Sequence, residues 1–433
     1  MRPFRSSLLL LLAAPALVAA VPLIETQLKA NDHGKVGKDV AAYFTARSEN
    51  KNINEAFNDA AETVEKTAKK VKDTDILALV EDWEAILAEA TTTFLDHEEY
   101  RKKGKLIDDY EGTSGDMQVA GALYCPKSYS ARRGEPLPLI LIVPDENMST
   151  REALEIQWTN GTNDGPALLL ALKMPADTRI WDVIGSPPSE IGGISAVMLA
   201  YGHLNAEFKI DVNRVFVAGH GRGIGTAVAT AAAFPHVFAG VIGRQAAPEG
   251  MHYQNLGNLP SLFVSGGTHA TALKTALSEM GAENCTTIDG TEDVVWEWIA
   301  DKRRDAYPSK VHFEPTSNYA VASNWLSLVG VAVEQNAPVV DASFDRASNT
   351  ITIDAKHATK VHVYFNDILA DLAKPVVVKL NGQVHEQVVG RNQKTLLDLA
   401  YQSGDWGRVF VNRQTFDVPA TADETADAGE SGE

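Results

Sequence analysis

The sequence is poor in the residues that build metal centres, redox motifs and disulfide scaffolds. Its 433 residues include two cysteines, Cys125 and Cys285, and contain neither a CxxC nor an HExxH motif. So few cysteines exclude a disulfide-rich scaffold. No His and Asp residues cluster at the spacing of metal ligands, so a metal site has little support.

Positive charge is also scarce. The 39 Lys and Arg residues are outnumbered by 57 Asp and Glu residues, which gives a formal net charge of −18. Nucleic acids are bound by basic surfaces that neutralise their phosphates. We therefore expect no nucleic-acid partner, and the net charge otherwise favours solubility.

Long hydrophobic runs are missing beyond the start of the chain. Arg2 and Arg5 precede the apolar run Leu8–Ala20, which ends in the small residues Val18-Ala19-Ala20. This layout predicts a signal peptide at residues 1–20, cleaved before Val21. A buried helix or a membrane anchor is the alternative, but the run is shorter than the roughly 20 residues that cross a bilayer. We expect an exported protein (periplasmic, cell-surface or extracellular) that does not span a membrane.

Residues 21–112 have the periodicity of helices. Apolar residues fall on one helical face in two successive stretches. They are Ile53, Phe57, Ala60, Val64, Ala68 and Val71, then Ile76, Leu79, Val80, Trp83 and Leu87. Asp73 and Thr74 are candidate caps for the second stretch. The pattern predicts a small helical hairpin. The sequence leaves open whether this segment docks on the sheet predicted below or extends away from it.

From residue 113 to 335 strand patterns alternate with helical patterns. The predicted strands are Gln118–Cys125, Leu137–Val143, Thr178–Val183, Arg214–Ala218, Gly240–Gly243, Ser261–Ser265 and Cys285–Ile288. The predicted helices are Gly192–Asn205, Gly223–Phe234, Ala270–Met280 and Asp293–Ala306. Continuous apolar strands separated by helices predict a doubly wound, mostly parallel sheet. In an oxidising compartment Cys125 and Cys285 could pair. Such a sheet favours the unpaired state, because it would place the two residues toward opposite edges, beyond bridging distance.

The last part of the chain has a different character. Residues 336–418 are β-rich, with period-2 alternation in Asn349–Asp354, Lys360–Phe365 and Pro375–Leu380 and a tight turn at Asn381-Gly382. Residues 419–433 carry five acidic residues and no large apolar side chain beyond Thr421, which predicts a disordered tail.

The stretch VFVAGHGRGIGTAVA at residues 215–229 reads as strand, glycine-rich turn and helix. One interpretation is a dinucleotide-binding turn, because Gly219, Gly223 and Gly225 have the GxxxGxG spacing of short-chain dehydrogenases. That turn should follow the first strand of its domain, whereas several strands precede this one. Tyr307 and Lys310 are three residues apart, not the four that the dehydrogenase pair requires. A nucleotide-binding oxidoreductase is therefore the weakest of the functional hypotheses.

The other interpretation is a nucleophile elbow, G-x-S-x-G, in which glycines flank the nucleophile because the turn is sharp. The stretch Gly219-His220-Gly221-Arg222-Gly223 has both flanking glycines in register. Its central residue, where the attacking hydroxyl should stand, is Gly221. The frame of the motif is present and the nucleophile is absent.

The surrounding sequence supports the elbow. Ile210–Phe216 supplies a D-x-x-R-V entry into the strand, and Phe234–Gly240 supplies an FPxxFAG exit from the helix. Further similar segments are Leu259–Val264, Val295–Ile299, Arg303-Arg304 and Tyr307-Pro308. On these segments the chain resembles secreted α/β-hydrolases of the esterase and peptidase type, from about Tyr124 to Leu380. The resemblance implies an α/β-hydrolase-like sheet between the helical segment and the β-rich segment.

The same resemblance locates the rest of the catalytic machinery, and each place holds the wrong residue. Oxyanion donors should follow an early strand, where this chain has Pro144-Asp145-Glu146; proline lacks an amide hydrogen and the carboxylates are unfavourable. The triad acid should follow Leu262–Ser265, but Gly266–Ala270, which includes Thr268 and His269, contains no acid. Thr291, in Gly290-Thr291-Glu292, stands where the family has its histidine.

Without a hydroxyl, a base and an orienting acid, triad acyl transfer has no covalent step. The leading hypothesis is a pseudoenzyme that binds a small molecule, a peptide or a protein, without a cofactor. The alternative is an active esterase or peptidase-type hydrolase that is serine-independent or metal-assisted. His220 and His269 are the residues that could serve it, whereas Ser195 lacks the second elbow glycine. Asp145 and Glu146 are expected to be solvated loop acids near the mouth of the site.

Overall fold

The computed structural model describes residues 26–115, 117–174, 192–246, 253–333 and 335–419. The predicted signal peptide, the predicted strand Thr178–Val183 and nearly all of the predicted acidic tail lie outside these residues. The predictions for those segments therefore stay predictions.

Three helices form the N-terminal layer: α1 (Ala30–Glu49), α2 (Ile53–Ala68) and α3 (Val80–Leu95), with a 3₁₀ turn at Ile76–Ala78. The two predicted helical stretches correspond to α2 and to the 3₁₀ turn with α3. Helix α1 was not predicted, and it packs against both of the others through buried Val36, Val40 and Phe44. The helical layer ends before β1 (Leu106–Ser114), a strand within the segment that the sequence pattern assigned to helices.

The middle of the chain forms an eight-stranded sheet with the order β1-β2-β4-β3-β5-β6-β7-β8. After β1 its strands are β2 (Met117–Tyr124), β3 (Leu137–Val143), β4 (Leu168–Leu172), β5 (Ile210–His220), β6 (Gly240–Arg244), β7 (Ser261–Val264) and β8 (Cys285–Ile288). Strand β2 is antiparallel to both of its neighbours, and every pairing from β4 to β8 is parallel. This order and these directions are those of the α/β-hydrolase fold, which confirms the predicted fold class.

Helices cover both faces of this sheet. They are α4 (Thr150–Glu152), which continues as a π-helical turn at Ala153–Gln157, α5 (Thr159–Asp164), α6 (Gly193–Glu207), α7 (Gly223–Ala233), α8 (Gly267–Glu279) and α9 (Glu292–Ile299). Side chains alternate along the buried strands. Val215 and Val217 of β5 pack with α6, α7 and α8, while Phe216 and Ala218 pack with the π-helical turn and α9. By the same alternation, His220 at the end of β5 lies on the face of Phe216 and Ala218.

The described residues of the C-terminal part, 310–333 and 335–419, form two further sheets and one helix. The strands are β9 (Lys310–Phe313), β10 (Ala322–Ser323), β11 (Leu326–Val329), β12 (Val339–Asp345), β13 (Thr350–Lys356), β14 (Lys360–Phe365), β15 (Val376–Leu380), β16 (Gln383–Gln387) and β17 (Asn412–Asp417), and the helix is α10 (Gln393–Ser403). The turn between β15 and β16 is the predicted one, with positive φ at Asn381 (47°) and Gly382 (80°).

The N-terminal helices share one hydrophobic core with these C-terminal sheets, and not with the large sheet. Buried Trp83 and Phe44 belong to the same cluster as Trp325, Ile353 and Phe365. The hydroxyl of Tyr43 donates to Asp398 on α10 at 2.5 Å. The sequence left open two placements, docked on the large sheet or extended away from it. In the described residues the helices adopt neither of these, because they pack on the C-terminal sheets.

Both cysteines are free and buried. Cys125 follows β2 and Cys285 opens β8, which lie near opposite edges of the large sheet.

Candidate functional site

The elbow predicted at Gly219–Gly223 is a sharp turn between β5 and α7. Gly221 has a φ of 49°, in the left-handed region that glycine adopts without strain. A Cβ on Gly219 would lie 2.4 Å from the Cα of Ile224, and one on Gly223 would lie 2.4 Å from the Pro144 carbonyl oxygen. The flanking glycines are needed because the turn packs directly on its own helix and on the segment after β3.

The space in front of Gly221 is filled by Asp145. A Cβ built on Gly221 would lie 2.5 Å from the Asp145 Cγ and 2.5 Å from its Oδ2, well inside contact distance. Asp145 follows β3 and is half-buried, whereas Glu146 is exposed. The expectation of solvated loop acids therefore holds for Glu146 and only in part for Asp145. Its carboxylate lies where the side chain of a nucleophile would begin.

The same carboxylate accepts hydrogen bonds from two backbone amides. The N–H of Arg222 donates to Asp145 Oδ1 at 3.1 Å, and the N–H of Glu146 donates to the same oxygen at 2.9 Å. In a nucleophile elbow, the amide after the nucleophile and an amide from the loop after β3 form the oxyanion hole. Here both donors are satisfied by a side chain of the protein itself. The Arg222 guanidinium adds an exposed ion pair to Glu146 at 2.8 Å.

The positions expected for the triad acid and histidine hold other residues. Helix α8 begins at Gly267, directly after β7, and Thr268 and His269 are exposed in its first turn. Thr291 is exposed at the N-terminus of α9, and its hydroxyl lies 3.3 Å from a carboxylate oxygen of Asp293. The nearby acid Glu292 is buried. It accepts from the amides of Asn160 and Gly161 at 2.9 and 2.8 Å and from Trp296 Nε1 at 2.6 Å, so its role is structural.

His220 is buried beneath the elbow and is 1% exposed. Its ring lies on the face of the sheet that carries Trp158, 6.3 Å away centroid to centroid, and neither ring nitrogen has a hydrogen-bond partner among the described residues. Burial, with a smaller contribution from the Arg244 cation, lowers the pKa of His220 to about 3. A neutral imidazole with so low a pKa is a poor general base at neutral pH.

His220, Trp158 and Arg244 form one buried cluster. Arg244 lies directly beside His220, in the neighbouring strand β6. Its guanidinium donates to the carbonyl of Gln157 in the π-helical turn and lies 5.7 Å from the Trp158 ring centroid. No sequence pattern pointed to this cluster, because its members come from three separate segments. Trp296 packs α9 against Trp158, and Trp298 packs it against Phe216 of β5.

Within the described residues, no group of three or more His, Cys, Asp or Glu side chains is arranged to hold a metal ion. Ser195 lies in the first turn of α6 and not in an elbow. In the same part of the chain, no helix has the length and apolar character needed to cross a membrane.

No protein-family model and no curated protein matches the sequence. Solved structures with a similar fold include a thermostable esterase, with 16% identity, a TM-score of 0.34, and coverage of 46% of this chain and 64% of that one. They also include an S-formylglutathione hydrolase from Staphylococcus aureus (11% identity, TM-score 0.35, 45% and 98% coverage). A third is an S-formylglutathione hydrolase from Agrobacterium tumefaciens, with 12% identity, a TM-score of 0.33, and coverage of 47% of this chain and 95% of that one. The strand order and the elbow define this protein as one with the α/β-hydrolase fold.

Proposed function

We propose that this protein is an exported pseudoenzyme with the α/β-hydrolase fold, one that acts by binding and not by hydrolysis. The observation that carries the proposal is the position of the Asp145 carboxylate. It occupies the space of a nucleophile side chain at Gly221 and accepts both amides that would stabilise an oxyanion.

The chemistry of acyl transfer explains why this arrangement favours an inactive site. A tetrahedral intermediate needs donors aimed at a developing negative charge. With Asp145 in place, the substrate oxygen would meet a full negative charge in that position. In addition, the buried ring of His220 is a poor base, and Thr291 cannot accept the proton of a nucleophile.

A fluorophosphonate probe tests the absence of a serine nucleophile. We expect no labelling of the purified wild-type chain. The variant Gly221→Ser/Asp145→Ala restores the hydroxyl and clears the space, and we expect it to stay unlabelled because no base activates the new serine. Labelling of any serine in the wild type overturns the proposal.

A substrate screen tests the alternative of a serine-independent or metal-assisted hydrolase. Short acyl esters and peptides are offered with and without divalent metal ions, and we expect no saturable turnover in either condition. Turnover that is lost in His269→Ala or in Asp145→Ala would establish an active enzyme.

The N-terminus of the mature protein tests export. On expression in a bacterial host, we expect a chain that begins at Val21 in the exported fraction. A chain that retains Met1 and stays in the cytoplasm would contradict this part of the proposal.

A further inference from the structure

A pocket of about 330 Å³ lies where three parts of the chain meet. Helix α3 supplies one wall, the loop between β2 and β3 supplies another, and Trp406 comes from the loop after α10. Ile210, the first residue of β5, also lines this junction pocket. The elbow follows the other end of β5, so the two sites are separated by about 35 Å of strand. Small-molecule sites commonly occupy such junctions and have this volume.

One side of the junction pocket is cationic. Arg132 and Arg133 are exposed and form no side-chain hydrogen bond or ion pair with any residue in the described ranges. Lys209 is half-buried, and its Nζ donates one hydrogen bond to the Gly134 carbonyl at 3.0 Å. Three cationic side chains therefore line the pocket with donors left to offer.

The pocket also has acidic and neutral polar residues. Glu89 and Glu135 contribute two carboxylates, so the cations exceed the acids by three to two in a chain whose net charge is −18. His97 adds no cation: its Nε2 lies 3.2 Å from the Asn205 carbonyl oxygen, and burial lowers its pKa. The balance of charge in the pocket is thus opposite to that of the whole chain.

The rest of the lining is mixed. Thr91, Thr92 and Asn205 are polar, whereas Leu95, Ile210 and Trp406 supply apolar surface. Guanidinium groups suit carboxylate and phosphate oxygens, because their donors form a planar fork. We propose that the junction pocket binds a small organic anion, in which a carboxylate or phosphate group is joined to an apolar ring or chain. The anionic group meets Arg132, Arg133 and Lys209, and the apolar part meets Leu95 and Trp406.

Calorimetric titration of the full chain tests this proposal with benzoate and phenyl phosphate as probes. Benzyl alcohol is the neutral counterpart, and inorganic phosphate is the anion without an apolar part. We expect both aromatic anions to bind more tightly than either comparison compound. The variant Arg132→Gln/Arg133→Gln changes two exposed side chains that form no hydrogen bond or ion pair with the described residues, and it should weaken that binding by about tenfold or more.

Arg222→Gln is the matched control, because it removes an exposed cation at the elbow instead of at the junction pocket. We expect it to leave the binding of both probes unchanged. Failure of both aromatic anions to bind overturns the proposal, as does equal binding of benzyl alcohol or of inorganic phosphate. Loss of binding in Arg222→Gln with retention in the double variant would also overturn it. None of these outcomes depends on whether the elbow is catalytically inactive.

Discussion

Gly221 and Asp145 depend on each other. The carboxylate fits against the turn because Gly221 has no side chain, and a turn at a φ of 49° is free of strain for glycine alone. Placing a nucleophile side chain at the elbow would therefore require changes at two positions that are 76 residues apart in the chain. The pair forms one structural unit.

A double-mutant cycle measures this dependence. Gly221→Ala should lower the free energy of unfolding by about 2 kcal/mol or more, because it adds a clash with Asp145 to the strain of a positive φ. In an Asp145→Ala background the clash is gone, and the cost should fall to about 1 kcal/mol. Urea unfolding of the four proteins gives the coupling energy.

Gly404→Ala is the control for the backbone alone, since Gly404 has a φ of 60° and a Cβ added there would meet no atom of the described residues within 4 Å. If Gly221→Ala costs no more than Gly404→Ala, Asp145 does not fill the elbow in solution.

His220 makes the protein sensitive to acid. Its pKa in the folded state is lowered from 6.5 to about 3, so the unfolded chain binds more protons between these values. The free energy of unfolding should therefore fall as the pH falls from 6.5 toward 3. His220→Leu removes the titrating ring and should flatten this part of the profile, as measured by urea unfolding at several pH values. An unchanged slope would show that His220 is not buried in solution.

The candidate site could be predicted only in part from the sequence. The elbow and the residues at the expected acid and histidine positions follow from short segments that each lie within one strand and turn. The placements of Asp145 and of His220 do not, because they depend on which separate strands become neighbours. Asp145 is adjacent to the elbow only because β3 pairs with β5, and His220 meets Arg244 only because β5 pairs with β6.

At the scale of elements, α3 places the carboxyl group of Glu84 in the interface between the N-terminal helices and the segments that contain Tyr307 and Asp405. Glu84 is partly buried, and its Oε1 lies 3.4 Å from the hydroxyl of Tyr307. Arg304, Asp405 and Glu81 are the other charged groups near it. Burial raises the pKa of Glu84 to about 7 in spite of the Arg304 cation.

This pKa predicts a loss of stability on the alkaline side. The folded protein binds the Glu84 proton more tightly than the unfolded chain, in which the carboxyl group has its ordinary pKa of 4.5. The stabilisation is therefore complete below pH 4.5 and is lost as the pH rises through 7. Glu84→Gln should be more stable than the wild type at pH 8, with no such gain at pH 4, by urea unfolding.

Glu81→Gln, on the exposed first turn of the same helix, should change stability by about 0.5 kcal/mol or less at both pH values. An equal gain in the two variants at pH 8 would assign the effect to overall charge and not to Glu84.

Individual elements show why the fold was predictable and where the prediction stopped. Strands β3, β5 and β6 are recognisable as apolar runs rich in branched residues. Strand β4 was missed because Leu168–Leu172 is made of leucine and alanine, which favour helices, and only its central place in the sheet makes it a strand. The predicted helix Asp293–Ala306 is too long. It ends at Ile299, and the chain beyond it is held by other contacts: the Arg304 N–H donates to the Asn213 carbonyl, and its side chain donates to the His236 carbonyl and to Asp405.

At the scale of the whole molecule, Arg304 joins the hydrolase sheet to the C-terminal part. Its guanidinium donates to both oxygens of Asp405 at 2.7 Å, to Asn213 Oδ1 at 2.9 Å and to the His236 carbonyl at 2.9 Å. The side chains of Arg304 and Asp405 are 1% and 8% exposed. The Arg304 and Arg408 cations hold the pKa of Asp405 below its usual range against the effect of burial.

Removing one partner of this buried pair should be severe. Arg304→Met should lower the free energy of unfolding by about 3 to 5 kcal/mol, because Asp405 is left buried without its main counter-ion. The neighbouring Arg303 is the matched control, since its ion pair with Asp211 spans 3.2 Å and its side chain is 56% exposed. Arg303→Met should cost about 1 kcal/mol or less. Similar losses for the two variants in a thermal or urea unfolding series would show that Arg304 and Asp405 are not buried together in solution.

The pairing of the first helices with the last strands has a consequence for how the chain is made. Tyr43 and Asp398 are hydrogen-bonded although they are 355 residues apart in the chain. The whole large sheet lies between them in sequence. During synthesis the apolar side of α1 and α3 has no permanent partner until almost the entire polypeptide has emerged. In a chain that crosses a membrane from its N-terminus, this apolar surface would stay exposed throughout the passage. A chain whose translation stops early would keep the apolar side of α1 and α3 exposed to solvent. Such a product would be a good substrate for proteases.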